Sequence, residues 1–329
     1  MTADQDELRG VVAVGASAGG VEALTQMAAY LPAELPFAIL VTLHMPPGIP
    51  SVLARILDRA GPLPAVSAID GGPLEPGCIH VCVPDRHLLL NDHRMVLSRG
   101  PTENGHRPAI NALFRSAALG FGPRAIGILL SGVLDDGVTG LKAIQSRGGT
   151  TVAQTPDDAA FPAMPSNAMA AGAVDHQVRA ADIGALLKRL SHREIEETTM
   201  DRDHSLELEN RIAMARPYAT DFDTNELGPP SSFTCPDCNG SLSTIRDGGY
   251  RCQVGHAWSA EALLQARDQE VEGALWVAVR SLQEKARLAR RLAASVSGGL
   301  MQDRFRDQAE EAERALAVLS ARLDHPTDR

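Results

Sequence analysis

Val11-Val12-Ala13-Val14-Gly15-Ala16-Ser17-Ala18-Gly19-Gly20, followed by a helical pattern from Val21, reads as a β-branched strand running through a glycine turn into a helix. This unit puts Ser17 at the carboxyl end of a strand, where open α/β sheets bind and react with ligands. The helix N-terminus behind it offers unpaired N–H groups and a positive dipole end to a developing oxyanion. Residues 15–19 also spell G-x-S-x-G, the nucleophile-elbow pattern, which points to acyl transfer. A serine in such a turn also serves as a helix cap or part of a phosphate cradle. Two nucleotide readings fit less well. Ser17 stands where a dinucleotide fold has its second glycine, the second strand ends in His44 rather than an acid, and no lysine follows the glycines.

The second strand, Phe37 to Leu43, delivers His44 at its carboxyl end, followed by Met45-Pro46-Pro47-Gly48. Consecutive parallel strands usually lie side by side, so Ser17 and His44 are expected to face one another. A serine hydroxyl needs such a base to become a nucleophile. A third apolar strand, from Ala125 to Leu130, ends in Ser131-Gly132-Val133-Leu134-Asp135-Asp136-Gly137 and re-enters a helix. An aspartate there fits the third role, fixing the histidine tautomer and stabilising its imidazolium. Asp-Asp-Gly is also an ordinary capping turn. The coincidence of three complementary residue types at three strand ends favours the chemical reading. The order Ser, His, Asp differs from the Ser, acid, His order of α/β-hydrolases.

Gly15 to Gly20, His44 to Gly48, His106-Arg107-Pro108 and Ser131 to Gly137, with Val152-Ala153-Gln154 and Met164-Pro165, resemble the catalytic domain of the chemotaxis receptor methylesterases over residues 10–190. The resemblance implies an α/β esterase domain that hydrolyses glutamate γ-methyl esters, and also deamidates glutamines, on methylated chemoreceptors or receptor-like proteins. It implies Ser17 as nucleophile, His44 as base and Asp136 as acid, with no catalytic cofactor. It also draws Ala18, Val133, His106 and Arg107 toward the oxyanion and substrate. The family often has asparagine at the position of Asp135, threonine or serine at that of Ala18, and Gly-Met-Gly where this chain has Gly132-Val133-Leu134. A backbone N–H at Val133 survives the side-chain change, whereas Leu134 in place of glycine bears on the loop's conformation. Familiar members carry an N-terminal receiver domain. Here the catalytic strand starts near residue 11, leaving no room for a domain of ~100 residues. Phosphodonors are therefore expected to leave activity unchanged, with control passing through the C-terminal segments.

A chain of 329 residues is expected to divide into domains. The reading is an esterase domain over 8–190 with a doubly wound, mostly parallel sheet, an acidic linker over 191–230, a zinc-binding knuckle over 231–260 and a helical hairpin over 261–325. The linker holds ten acidic against four basic residues, among them Glu194, Glu196, Glu197, Asp201 and Asp203. A net charge of −10 without a basic patch argues against nucleic-acid binding. No apolar run of about 18 residues and no cleavable signal is present, so a soluble, cytoplasmic protein without membrane insertion is expected.

Cys78 and Cys82 lie on one apparent strand, ~13 Å apart and too far for a disulfide, which makes them packing residues. Cys235-Pro236-Asp237-Cys238 and Cys252-Gln253-Val254-Gly255-His256 spell C-x2-C, thirteen residues, then C-x3-H. Such a set suits a tetrahedral structural zinc, with Gly240 and Asp247-Gly248-Gly249 as turns. A redox C-x-x-C would leave Cys252 and His256 unexplained. Beyond it, Val271, Leu275, Ala278 and Leu282 form one seam, and Phe305, Ala309, Ala312, Leu316, Leu319 and Leu323 another, across the break at Ser297-Gly298-Gly299. The simplest reading is a hairpin closing on itself; a scaffold-docking or self-association surface is the other. For the whole chain, the alternative to an esterase is a non-catalytic docking module that keeps the fold.

Overall fold

The computed structural model describes residues 8–195, 201–214, 228–245 and 248–324, so Glu196, Glu197 and Asp247 of the sequence reading lie outside them. The chain divides into two compact units, Met1–Ala262 and Leu263–Arg329.

The first unit is built on a seven-stranded parallel sheet. Its strands are β1 (Gly10–Ala16), β2 (Phe37–Leu43), β3 (Ala65–Ser67), β4 (Ile79–Val81), then β7 (Ala125–Leu129), β8 (Thr150–Gln154) and β9 (His176–Val178). A hairpin of β5 (His87–Asn91) and β6 (Arg94–Ser98) intervenes. The order across the sheet is β3-β4-β2-β1-β7-β8-β9. The chain thus winds outward on one side of β1, returns, and winds outward on the other. That reversal between β1 and β7 is the switch point at which doubly wound sheets leave a crevice.

β1 is fully buried because both faces of the sheet are covered, which is why its sequence is an unbroken apolar run. Val12, Val14 and Ala16 join one core with Leu24 and Met27 of α1 (Gly20–Ala29), Leu57 of α2 (Leu53–Ala60) and Leu187 of α6 (Ile183–Leu190). Val11 and Ala13 join the other with Leu113 and Phe114 of α3 (Ile110–Phe121), Ile144 of α4 (Val138–Ser146) and Met164 of α5 (Ala163–Ala170). Cys78 and Cys82 are free, buried thiols, and burial pushes them up to about 11 and about 12.

Part of the stretch read as an acidic linker is an ordered helix, α7 (His204–Met214), with Leu208, Ile212 and Ala213 buried. Ser98 Oγ donates to its Ala213 carbonyl at 2.6 Å. A small antiparallel sheet follows, of β10 (Pro230–Thr234), β11 (Ser241–Thr244), β12 (Tyr250–Cys252) and β13 (Ala257–Trp258). This segment, read as a separate knuckle, belongs to the first unit. Arg251 of β12, 1% exposed, lies 3.5 Å from Glu103 and 3.3 Å from Glu209 of α7, and Glu103 is also paired with Arg115 of α3. Burial acts to raise the Glu103 carboxyl, but the charges of Arg115 and Arg251 outweigh it and hold it below the usual range. Two carboxylates and two guanidiniums thus compensate one another where neither sign alone could be buried.

The second unit comprises most of α8 (Ala260–Ser295) and α9 (Leu300–Asp324). Ala309 and Ala312 of the expected seam are covered, Phe305, Leu316 and Leu319 partly so, while Val271 is exposed. Lys285–Glu311 and Arg290–Glu313 ion pairs join the two helices, so the hairpin closes on itself. Among the described residues, no helix is long and apolar enough to cross a membrane.

Candidate active site

Ser17, His44 and Asp136 follow the carboxyl ends of the adjacent strands β1, β2 and β7, and the structure brings all three together. His44 Nδ1 lies 3.0 Å from Ser17 Oγ, and its Nε2 lies 2.7 Å from Asp136 Oδ2. The turn that presents Ser17 is fixed by its own backbone. Ser17 N–H donates to the Ser131 carbonyl and Gly20 N–H to the Ser17 carbonyl, both at 2.9 Å. Gly19 caps α1 at φ +68°, and a Cβ there would stand 2.7 Å from Ser131 Oγ, so the position requires glycine.

Asp136 is buried and accepts two backbone N–H bonds from the start of α3, Ile110 on Oδ2 at 2.7 Å and Asn111 on Oδ1 at 3.1 Å. Burial acts to raise this carboxyl; the His44 hydrogen bond, the His44 charge and the Ile110 N–H outweigh it and hold it below the usual carboxylate range. A carboxylate so held only accepts. The shared contact therefore assigns the hydrogen to His44 Nε2 and leaves Nδ1 free to take a proton from Ser17. The ring is also braced by His106, stacked at 3.8 Å between centroids and 14° between planes. Burial, with the neighbouring His44, lowers His106 to about 4, so it is neutral at pH 7.

The other residues that the sequence singles out are placed as follows. Ala18 adjoins Ser17, and its carbonyl accepts from Ser131 Oγ at 2.8 Å. Val133 is exposed on the acid loop. Among the described residues neither the Ala18 nor the Val133 N–H has an acceptor. Leu134 adopts φ +62°, the left-handed backbone that glycine takes without cost. Arg107 donates to Asp85 Oδ1 at 2.6 Å and to the Gly100 carbonyl at 3.0 Å.

Residues given no role from sequence hold the scaffold. Asn111 Oδ1 accepts from Gly137 and Gly140 N–H at 3.0 and 2.8 Å, anchoring the acid loop to α3. Gln154 Oε1 accepts from Ser131 N–H at 2.9 Å. Asp135 Oδ1 accepts from Ser259 Oγ at 2.7 Å. Asn111, Arg115 and Ser116 interrupt the apolar face of α3, and that is the one sequence signal they leave.

Cys235, Cys238, Cys252 and His256 place their ligand atoms within 4.8 Å of one another and could hold a metal ion. Cys238 and Cys252 sulfurs are 3.7 Å apart, and His256 Nδ1 is 3.7 Å from Cys235 and 3.4 Å from Cys252. A tetrahedral ion with 2.3 Å metal–sulfur bonds separates its sulfurs by about 3.8 Å. Two turns shape the site: Asn239 N–H to the Cys235 carbonyl at 2.8 Å, and Gly255 N–H to that of Cys252 at 2.9 Å.

Fold and cluster together define a doubly wound α/β protein with serine, histidine and aspartate gathered at its switch point. A family model described as CheB methylesterase matches residues 12–187. The chain is 45% identical over 167 residues to protein-glutamate methylesterase/protein-glutamine glutaminase 3 of Anaeromyxobacter dehalogenans, covering 50% of this chain and 49% of that protein. It is 38% identical over 177 residues to a protein of the same name from Rhodopseudomonas palustris, covering 53% and 48%. It thus spans about half the length of these curated relatives. The crystal structure of the Thermotoga maritima CheB methylesterase catalytic domain superposes with a TM-score of 0.53 at 29% identity, over 55% of this chain and 98% of that one. The chain belongs to the CheB methylesterase family.

Proposed function

We propose that the chain is a serine esterase that hydrolyses glutamate γ-methyl esters on methylated chemoreceptors or receptor-like proteins, and by the same route deamidates glutamine. The observation that carries this reading is the hydrogen-bonded chain from Ser17 Oγ through His44 to Asp136. Ser17 Oγ attacks the γ-carbonyl carbon while its proton passes to His44 Nδ1. Asp136 stabilises the imidazolium so formed. The N–H groups of Ala18 and Val133 are the donors offered to the oxyanion. The tetrahedral adduct expels methanol (ammonia from glutamine), which leaves with the proton from His44. Water then attacks the acyl-serine, again giving its proton to His44, and the free γ-carboxylate departs as Ser17 is restored. The reading includes a cytoplasmic site of action. Methanol released from a methyl-labelled receptor fragment tests it; no release by the folded chain would overturn it. A docking-only role gives no reason for an acid buried and fully hydrogen-bonded behind His44.

The Cys3His cluster is proposed as a structural zinc site, since all four tetrahedral positions are filled by protein and none is open to substrate. Purified under reducing conditions without chelator, the chain is expected to carry about one zinc per protein, measured by elemental analysis. Cys252→Ser should lower this stoichiometry, and metal-free protein from both preparations would remove the site.

A further inference from the structure

Three observations converge on Ser259. The first is local: Ser259 Oγ donates to Asp135 Oδ1 at 2.7 Å, and the residue after Asp135 is the triad's acid. The second concerns the opposite loop. Ser259 N–H donates to Asn104 Oδ1 at 2.8 Å, while Asn104 N–H donates to the Ala257 carbonyl at 2.7 Å and Ala257 N–H to that of Thr102 at 3.1 Å. These bonds pin the turn that leads into His106, whose ring stacks on His44. Third, the acid loop carries Leu134 at φ +62°, which a leucine adopts only where its surroundings impose it. Besides the Asn111 and α3 contacts at Asp136 and Gly137, the loop is restrained at Leu134 and Asp135 by an Asn167 Nδ2 bond to the Leu134 carbonyl at 3.0 Å, the Val138 N–H bond to the Asp135 carbonyl at 3.1 Å and the Ser259 bond to the Asp135 side chain.

Ser259 sits three residues after His256 of the Cys3His cluster, directly beyond β13, which pairs with β12 carrying Cys252. Its hydroxyl also accepts from Ala262 N–H at 3.1 Å, capping α8, so its position is set from both sides. We propose that Ser259 is a positioning residue for the esterase reaction. It locks the loops carrying Asp136 and His106 around His44, and through it an ion at the Cys3His cluster sustains catalysis at a site it never touches. The proposal rests on the Ser17–His44–Asp136 reading.

The test uses the full zinc-loaded chain and two readouts. One is kcat and KM on a synthetic peptide bearing glutamate γ-methyl ester; the other is the rate at which a fluorophosphonate labels Ser17. A displaced acid loop misaligns His44 without touching substrate, so Ser259→Ala should lower kcat and labelling about tenfold with KM unchanged. Ser259→Thr keeps the hydroxyl and should retain most of the rate. In a Leu134→Gly background the left-handed conformation no longer carries a Cβ penalty, and Ser259→Ala should then cost only about twofold. Chelation should slow labelling of the wild type about as much as Ser259→Ala does. Thermal unfolding identifies any variant that fails to fold. If Ser259→Ala matches the wild type while Ser17→Ala is unlabelled, the positioning role is overturned and the triad stands. If the wild type is neither labelled nor active, the triad reading fails and this proposal with it.

Discussion

Ser17→Ala is expected to lower kcat for methyl-ester hydrolysis by about 10⁶-fold, the scale on which serine enzymes respond to loss of the nucleophile. Alanine leaves His44 without a hydroxyl to deprotonate, and no other nucleophilic side chain contacts its Nδ1 among the described residues. The rest of the site persists. Ser17's backbone bonds to Ser131 and Gly20 involve no side-chain atom, and the N–H groups of Ala18 and Val133 are unchanged. KM should therefore stay near its wild-type value. Unfolding free energy should shift by no more than about 1 kcal/mol, the worth of one hydrogen bond. Methanol release and thermal unfolding of the two proteins measure both parts. A variant that keeps its activity would place the nucleophile elsewhere.

The reacting ends of the sheet are legible in the sequence because parallel strands covered on both faces leave unbroken apolar runs, and the side chain after each run is presented at the crevice. Ser17, His44 and the acid loop are read in that way. The Cys3His spacing is legible because ligand geometry constrains short intervals. What the sequence hides are long-range polar contacts. Asp136 is held by N–H groups of α3, 25 and 26 positions away, and any helix start would look the same. Ser259 reaches Asp135 across 124 positions with no local pattern to announce it. α7 is masked differently. Its acidic residues read as a solvated linker, yet Glu209 turns inward to Arg115 and Arg251 while Leu208 and Ile212 bury one face. Arg107 is another such case, its guanidinium donating to Asp85, 22 residues earlier.

Asp136→Asn is expected to reduce kcat about 10⁴-fold, the scale found when a triad aspartate becomes asparagine. The local hydrogen bonds explain why so conservative a change fails. Oδ2 accepts from both His44 Nε2 and Ile110 N–H, and Oδ1 accepts from Asn111 N–H, so every partner is a donor. An asparagine has one acceptor to offer. With its oxygen toward His44, the tautomer is preserved, but the amide NH2 faces Asn111 N–H and no negative charge remains to stabilise the imidazolium. With its NH2 toward His44, the ring must accept at Nε2 and carry its hydrogen on Nδ1, where it can no longer take the serine proton. Either orientation buries at least one N–H group without an acceptor, which costs about 1–3 kcal/mol. Lower activity should therefore come with lower stability, unlike Ser17→Ala. The sign with pH is also fixed. Because the Asp136 carboxyl is held below its ordinary value, the stability it contributes is present above the unfolded carboxylate range of about 4 and is lost as pH falls through the lower folded value. The stability difference between wild type and Asp136→Asn should then be full at pH 7 and shrink in acid. Urea unfolding from pH 7 down to pH 3 measures it, and a gap that stayed constant would show that Asp136 is not the ionised partner of His44.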